Sequence, residues 1–399
     1  MTTVRLTVES VAHGGHCIAR HEGRVIFVRH ALPGEVVEAV VTEQAEAAPY
    51  WRADAVTIVE PSEDRVPSAW PAAGPGGVGG AELAHVALDA QRQWKLTVLQ
   101  DSFTRFAHRD FPGGIHAAPG DDERGGLRWR TRVNAVTDAQ GRAAMHAPRS
   151  TAIQVLEDMP LAVERAERAL IGERFAAHAQ VAVVAPAGTD HLQVVVDGTP
   201  WRAGKKDHRS NAPAHVSESV TVGDTDYHYR VATTGFWQVH REAPAVLVGE
   251  VLARVGQAET VADLYAGAGL FSLPLADAGK RVTMIESHPL AAKAARRNLH
   301  VHPDATVIEG DVRRSLKSGI GHHDVVVLDP PRSGVGHATI DALMDVQAPR
   351  LVYVACDPVA LARDTGLLAE RGYDLVGASA WDLFPMTHHM EAVATFQRR

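Results

Sequence analysis

Cys356 is the side chain in this sequence best placed to act as a nucleophile. The run Leu351-Val352-Tyr353-Val354 is apolar and rich in β-branched residues, the composition of a buried strand. It stops at Ala355-Cys356-Asp357-Pro358, and a helical pattern through Leu361-Ala362-Arg363-Asp364 begins at once. The thiol therefore stands at the carboxyl end of a strand and the start of a helix, where open α/β sheets bind ligands. The partial positive charge of a helix N-terminus lowers a thiol pKa, so thiolate is expected to be favoured. This stretch alone fits an inert core thiol equally well, because free cysteine is usually buried.

Two further groups have chemical spacing. A strand at Val261–Tyr265 runs into Ala266-Gly267-Ala268-Gly269, where glycine lets the backbone approach a ligand closely. The next strand ends on Glu286, an acid able to accept both hydroxyls of a ribose, and the third is followed by Asp311, placed near an adenine. The loop lacks the third glycine of a pyrophosphate-binding turn, which favours S-adenosylmethionine over a nicotinamide dinucleotide. Asp329-Pro330-Pro331-Arg332, ending a fourth strand, strengthens that choice. In Arg128-Trp129-Arg130-Thr131-Arg132-Val133 three arginines alternate with other side chains. In a strand this puts three guanidiniums on one face, a surface suited to an RNA backbone and to stacked bases. A plain solvated strand face is the competing reading.

These residues need a scaffold, and the chain supplies it in three parts. From Phe236 strands and helices alternate, so residues 236–399 are expected to form an α/β, doubly wound, Rossmann-like domain. Residues 1–60 hold short strands separated by Gly14-Gly15, Glu22-Gly23 and Pro33-Gly34, the pattern of a small β-barrel. Residues 61–235 begin with the connector AWPAAGPGGVGG and read as a central α+β region. Its helix at about 86–107 carries Leu88, Trp94, Leu96, Val98, Leu99 and Phe103 on one broad side, to pack on the catalytic domain. The 399 residues are 45% hydrophobic and 22% charged, as in an ordinary globular protein. A net charge of −8 argues against an indiscriminate polyanion binder but leaves room for a local basic groove. No run spans a bilayer, and two cysteines, Cys17 and Cys356, make no disulfide framework, so a cytoplasmic protein is expected. The 22 histidines show no zinc spacing, and no metal site is expected.

Two stretches carry a resemblance. HGGHCIARHEGRVIFVRHALPGEVVEAVV resembles a TRAM domain, an RNA-binding, OB-like barrel. Gly235-Phe236-Trp237-Gln238, DLYAGAGLFSLPLA, Ile285-Glu286, Gly310-Asp311-Val312, LDPPRSGVG, VYVACDP, and Asp382 through Glu391 together resemble the S-adenosylmethionine-dependent RNA uracil-5-methyltransferases. The resemblance implies that Cys356 adds to uracil C6, so that C5 can attack the methyl donor, and that Glu391 then removes the C5 proton. It also implies cofactor contacts at Gln238, Tyr265, Gly267, Glu286, Asp311 and Asp329, and a supporting part for Arg332 at the uracil or the Asp329 loop. RNA, rather than DNA or a membrane, is the expected partner, with rRNA favoured over tRNA by the TRAM-like start, and a monomer is expected.

The departures from that family are specific. Asp357 stands where Asn is usual, Met386 where His, Gln or Tyr is common, Leu270 and His240 where Asn is usual. Ala72, Val78, Ala81 and Met159 stand where the rRNA branch has iron–sulfur cysteines, so no cluster is expected. Three alternatives stay in view: a tRNA uracil-5-methyltransferase, an RNA cytosine-5-methyltransferase, and a non-catalytic RNA-binding protein. LDPPRSG lacks the second cysteine typical of cytosine enzymes, and the pairing of Cys356 with Glu391 speaks against a silent protein.

Overall fold

A computed structural model describes residues 2–44 and 48–399. β1 (Thr3–Ala12), β2 (His16–His21), β3 (Arg24–Arg29), β4 (Val36–Glu43) and β5 (Tyr50–Glu60) close into a barrel in the order β1-β2-β3-β5-β4. Alternation along β1 and β4 sends Val4, Leu6, Val8, Val37, Ala39 and Val41 inward. Register shifts in β1 against β2 and in β4 against β5 supply the bends that closure needs. Glu35, fully buried, anchors the barrel to the connector by accepting from the Leu32 and Ser62 N–H groups and from Arg65.

α1 (Leu88–Ser102) continues through a π-helical turn, Phe103–Ala107. Trp94 and Val98 enter the barrel core, while Leu99 and Phe103 enter the core under the catalytic sheet, so the helix is wedged between two bodies. β6 (Ile115–Ala117) follows. Then come β7 (Arg132–Thr137), β8 (Ala143–His146), β9 (Ile153–Val155), α2 (Glu164–Gly172), β10 (Gln180–Val184), β11 (Gln193–Val196), β12 (Thr199–Arg202) and β13 (Lys205–Lys206). Seven of these strands make an antiparallel sheet, β13-β12-β11-β10-β7-β8-β9. β14 (His215–Val222) and β15 (Thr225–Ala232) form a hairpin whose Val220, Tyr229 and Val231 pack into the core of the catalytic sheet.

The expected run of alternating arginines is not a strand throughout. β7 begins only at Arg132, and Arg128 has a left-handed backbone, φ 59°. Arg130 sits in isolated bridges to Ala162 and His240. Two of the three side chains are held by acids, Arg128 by Glu167 and Arg132 by Glu218 at 2.8 Å, so no common guanidinium face exists.

The rest is α3 (Ala243–Val255), β16 (Thr260–Leu264), α4 (Ser272–Asp277), β17 (Arg281–Glu286), α5 (Pro289–Asn298), β18 (Ala305–Glu309), α6 (Val312–Ser318), β19 (Val325–Leu328), α7 (His337–Leu343), β20 (Arg350–Ala355), α8 (Pro358–Glu370), β21 (Tyr373–Asp382) and β22 (Glu391–Arg398). The sheet order is β18-β17-β16-β19-β20-β22-β21-β6. Its first five strands are parallel, and β22 runs against them. β19 is buried at every position, as a strand covered by helices on both faces must be.

Candidate active site

The strand ends bring the two candidate reactive groups together. β20 and β22 pair with Ala355 opposite Ala392. Cys356 follows Ala355 as β20 ends and Glu391 precedes Ala392 as β22 begins, so the two residues flank the last pair of that ladder. Asp357 then caps α8, its carboxylate accepting from the Ala360 N–H at 2.7 Å, with Pro358 at the first helical position. That stop fixes the thiol at the mouth of a cavity of about 880 Å³. Cys356, Glu391, Asp329, Arg332, Gln238, Tyr265, Gly267 and Glu286 all line it.

The charge balance of the cavity differs from the sequence expectation. The Cys356 thiol is pushed up to about 12, by burial first and then by Glu391 and Asp329, with Arg332 acting the other way. The helix N-terminus does not prevail. Glu391 is 4% exposed, its Oε2 has no hydrogen-bond partner, and burial with Asp329 nearby holds its carboxyl well above the usual range. Asp329 is raised to about 7 by burial and by Asp263. Three acidic groups thus share one poorly solvated space, the arrangement in which protons are held and passed.

At the other end, Glu286 accepts from the Gly267 N–H at 2.9 Å and the His288 N–H at 2.6 Å, which aims its carboxylate along the cavity wall. Gly267 has φ 57°, and nothing within 4 Å would meet a side chain there, so bare backbone faces the space a ligand would fill. Tyr265, φ 65°, also lines this wall. Donor, acceptor and open loop fit a nucleoside without phosphates better than one that carries them.

Asp311 is not part of this wall. It is exposed, and its carboxylate caps α6 by accepting from the Arg314 N–H. Of the three arginines only Arg130 reaches the cavity; it donates to the Arg132 carbonyl at 3.0 Å, lies 5.6 Å from the Trp129 ring, and has no acid partner among the described residues. His240 turns away to meet Asp121 at 3.0 Å and stack on Trp129. Gly80 and Glu82 also line the cavity, and nothing in the Pro/Gly-rich sequence around them marked them for it. Burial raises the Glu82 carboxyl, but His388 outweighs it and brings the value down to about 2. Val78, Ala81 and Met159, at the iron–sulfur positions, fill the apolar core of the central region, and Ala72 is exposed. Those side chains do not fit a cluster. A second groove of about 900 Å³ is lined by Arg124, Arg128 and Arg165, which are tied to Asp121, Glu167 and backbone carbonyls; it holds no thiol.

Comparison with known proteins gives a consistent result. Residues 1–55 match the TRAM domain, 242–350 the methyltransferase small domain, and 317–399 the tRNA (Uracil-5-)-methyltransferase family. An uncharacterized RNA methyltransferase of Bifidobacterium longum is 39% identical, covering 100% of this chain and 97% of its own. Another, from Streptomyces coelicolor, is 40% identical over 98% of this chain and 92% of its own. The 23S rRNA (uracil(1939)-C(5))-methyltransferase of Shewanella sp. strain ANA-3 is 28% identical over 98% and 95%. Among solved structures, the tRNA (uracil-54, C5)-methyltransferase of Pyrococcus abyssi, in complex with S-adenosyl-L-homocysteine, matches with TM-score 0.72 over 98% of this chain and 100% of that one. At 20% identity it shows a shared fold.

Proposed function

Because this chain belongs to the TRAM-containing RNA uracil-5-methyltransferase family, we propose that it methylates C5 of a uridine in ribosomal RNA through Cys356 and Glu391. The observation that supports the mechanism is the shared cavity: Cys356 and Glu391, flanking the last β20–β22 pair, both line it, as does Gly267 of the glycine loop. When bound, S-adenosylmethionine supplies an electrophilic methyl group on a positively charged sulfur. Gln238, Tyr265, Gly267, Glu286 and Asp329 are the residues that would hold it.

Uracil C5 is a poor nucleophile. Once its proton is released to solvent, the Cys356 Sγ would add at C6 and put electron density on C5, which would then take the methyl group as the methyl–sulfur bond breaks and the sulfur is left neutral. Glu391 removes the proton from C5, and the electron pair left behind expels the thiolate. Burial and neighbouring acids raise both groups, so activation is coupled to loading: positive charge entering the site lowers both values. Arg332 is the resident cation acting in that direction on both. Arg130, at the same wall and with no acid partner among the described residues, is assigned to the RNA backbone. The target base must be unstacked, since a duplex keeps C6 out of reach.

The Shewanella relative's 23S rRNA target and the TRAM match favour rRNA. The test uses 5-fluorouridine RNA with the cofactor, because fluorine cannot leave as a cation and the covalent adduct persists. Wild-type protein is expected to form it, and Cys356→Ala to form none. An equal adduct yield in Cys356→Ala would refute the mechanism. Mapping 5-methyluridine in rRNA and tRNA of a deletion strain separates the two RNA classes.

A further inference from the structure

The barrel touches the catalytic centre through one hairpin tip, His13-Gly14-Gly15, between β1 and β2. His13 Nε2 lies 3.4 Å from Oδ2 of Asp357, the residue after Cys356 and the cap of α8. The His13 ring also meets the His388 ring edge-on, centroids 6.1 Å apart. Two residues on, Gly15 is buried against the same loop. A Cβ there would stand 2.9 Å from the Glu82 Cβ and 3.5 Å from the His388 Cβ. Glu82 in turn faces His388 at 3.5 Å, and the neighbouring Leu83 N–H donates to the Met386 carbonyl at 2.9 Å. The tip therefore contacts both chain segments that carry the reactive groups: 356–357 and 386–391.

We propose that this hairpin tip positions the active site, with His13 holding the Asp357 cap and Gly15 seating the loop that leads to Glu391. The barrel then does more than hold RNA: it completes the geometry in which Cys356 and Glu391 meet one ring. His13 touches neither the cavity nor any reacting atom identified above, so its part is to position rather than to react. The contact is chain-specific, because the partner is a carboxylate where the family pattern has Asn. The inference rests on the uracil-methylation reading for its meaning, not for its geometry.

His13 is about half exposed, so its replacement is not expected to unfold the chain. Three measurements on the full-length protein test it: adduct rate at saturating 5-fluorouridine RNA, RNA Kd, and alkylation of Cys356 by iodoacetamide in the free protein. For His13→Ala the adduct rate is expected to fall about tenfold, because small misplacements are severe in covalent catalysis. RNA Kd should stay within about twofold, and Cys356 alkylation should rise about threefold as burial relaxes. His13→Gln, which can still donate to Asp357, should recover most of the rate. Gly15→Ala, forced into Glu82, should slow the adduct as well. A weaker Kd with unchanged adduct rate and unchanged alkylation would overturn the inference, as would the absence of any effect. Failure of wild type to form an adduct would defeat the uracil reading, and the alkylation measurement would still decide this one.

Discussion

At the scale of single residues the governing fact is that the thiol and its neighbouring carboxyls are poorly solvated. A helix N-terminus contributes half a charge or so at its end. Against it stand burial and the two acids Glu391 and Asp329, and their sum pushes Cys356 to about 12. Alkylation of Cys356 in the cofactor-free protein is therefore expected to rise about tenfold per pH unit from pH 7 to 10 without a plateau, read by mass spectrometry of the Cys356 peptide. A plateau near pH 8 would show a thiolate already formed. Glu391 makes a stability statement of the opposite kind from a salt-bridged acid. Its folded pKa lies above its unfolded value, so the folded state binds the extra proton and stability falls as pH rises from the ordinary carboxylate range to the raised one. Glu391→Gln removes that loss. It is expected to raise Tm by about 1–3 °C at pH 8, with little gain at pH 5, while abolishing methylation. The junction of an apolar strand with a helix singled out Cys356 in the sequence, whereas Glu391 was singled out by the resemblance alone. Asp311 is ambiguous in the same setting: an acid after a strand can serve a ligand or cap the next helix, and here its carboxylate caps α6.

Among the elements, α1 decides how the catalytic loop is held. Lys95 is buried and donates to Asp382 and to the Phe384 carbonyl; one turn earlier, Gln91 accepts from the Met386 N–H at 2.8 Å. Lys95→Met would leave Asp382 buried with only Arg92 at 3.9 Å. A loss of about 3 kcal/mol in urea unfolding is expected, partly restored by adding Asp382→Leu. If Lys95→Met unfolds like wild type, the pair contributes nothing to the fold. The sequence pattern set this helix against the catalytic domain but not also against the barrel. A helix buried on two sides has apolar residues facing both partners, Trp94 and Val98 one way and Leu99 and Phe103 the other, so a single stripe does not describe it. The parallel strands β19 and β20 were readable because burial on both faces leaves unbroken apolar runs, while Asp263 interrupts β16 and Thr283 interrupts β17. Three-residue β6 offers no period to read.

Over the whole molecule, the barrel and the catalytic sheet followed from turn spacing and from the change to strand–helix alternation near Phe236, whereas residues 61–235 do not stand apart: β6 joins the catalytic sheet and the β14–β15 hairpin packs into its core. What joins the parts did not follow. His13 with Asp357, Lys95 with Asp382 and Arg132 with Glu218 are pairs far apart in the chain, and no local pattern announces them. β6 shows what such joining demands of a growing chain. It lies parallel to β21, covering an otherwise open margin of the sheet, yet the ribosome makes β21 roughly 250 residues later. At about 5–20 residues per second the early strand waits some ten seconds or more for its mate. Until then the first third of the protein carries an unsatisfied backbone ribbon, a period in which a chaperone or a neighbouring nascent chain is a competitor for it.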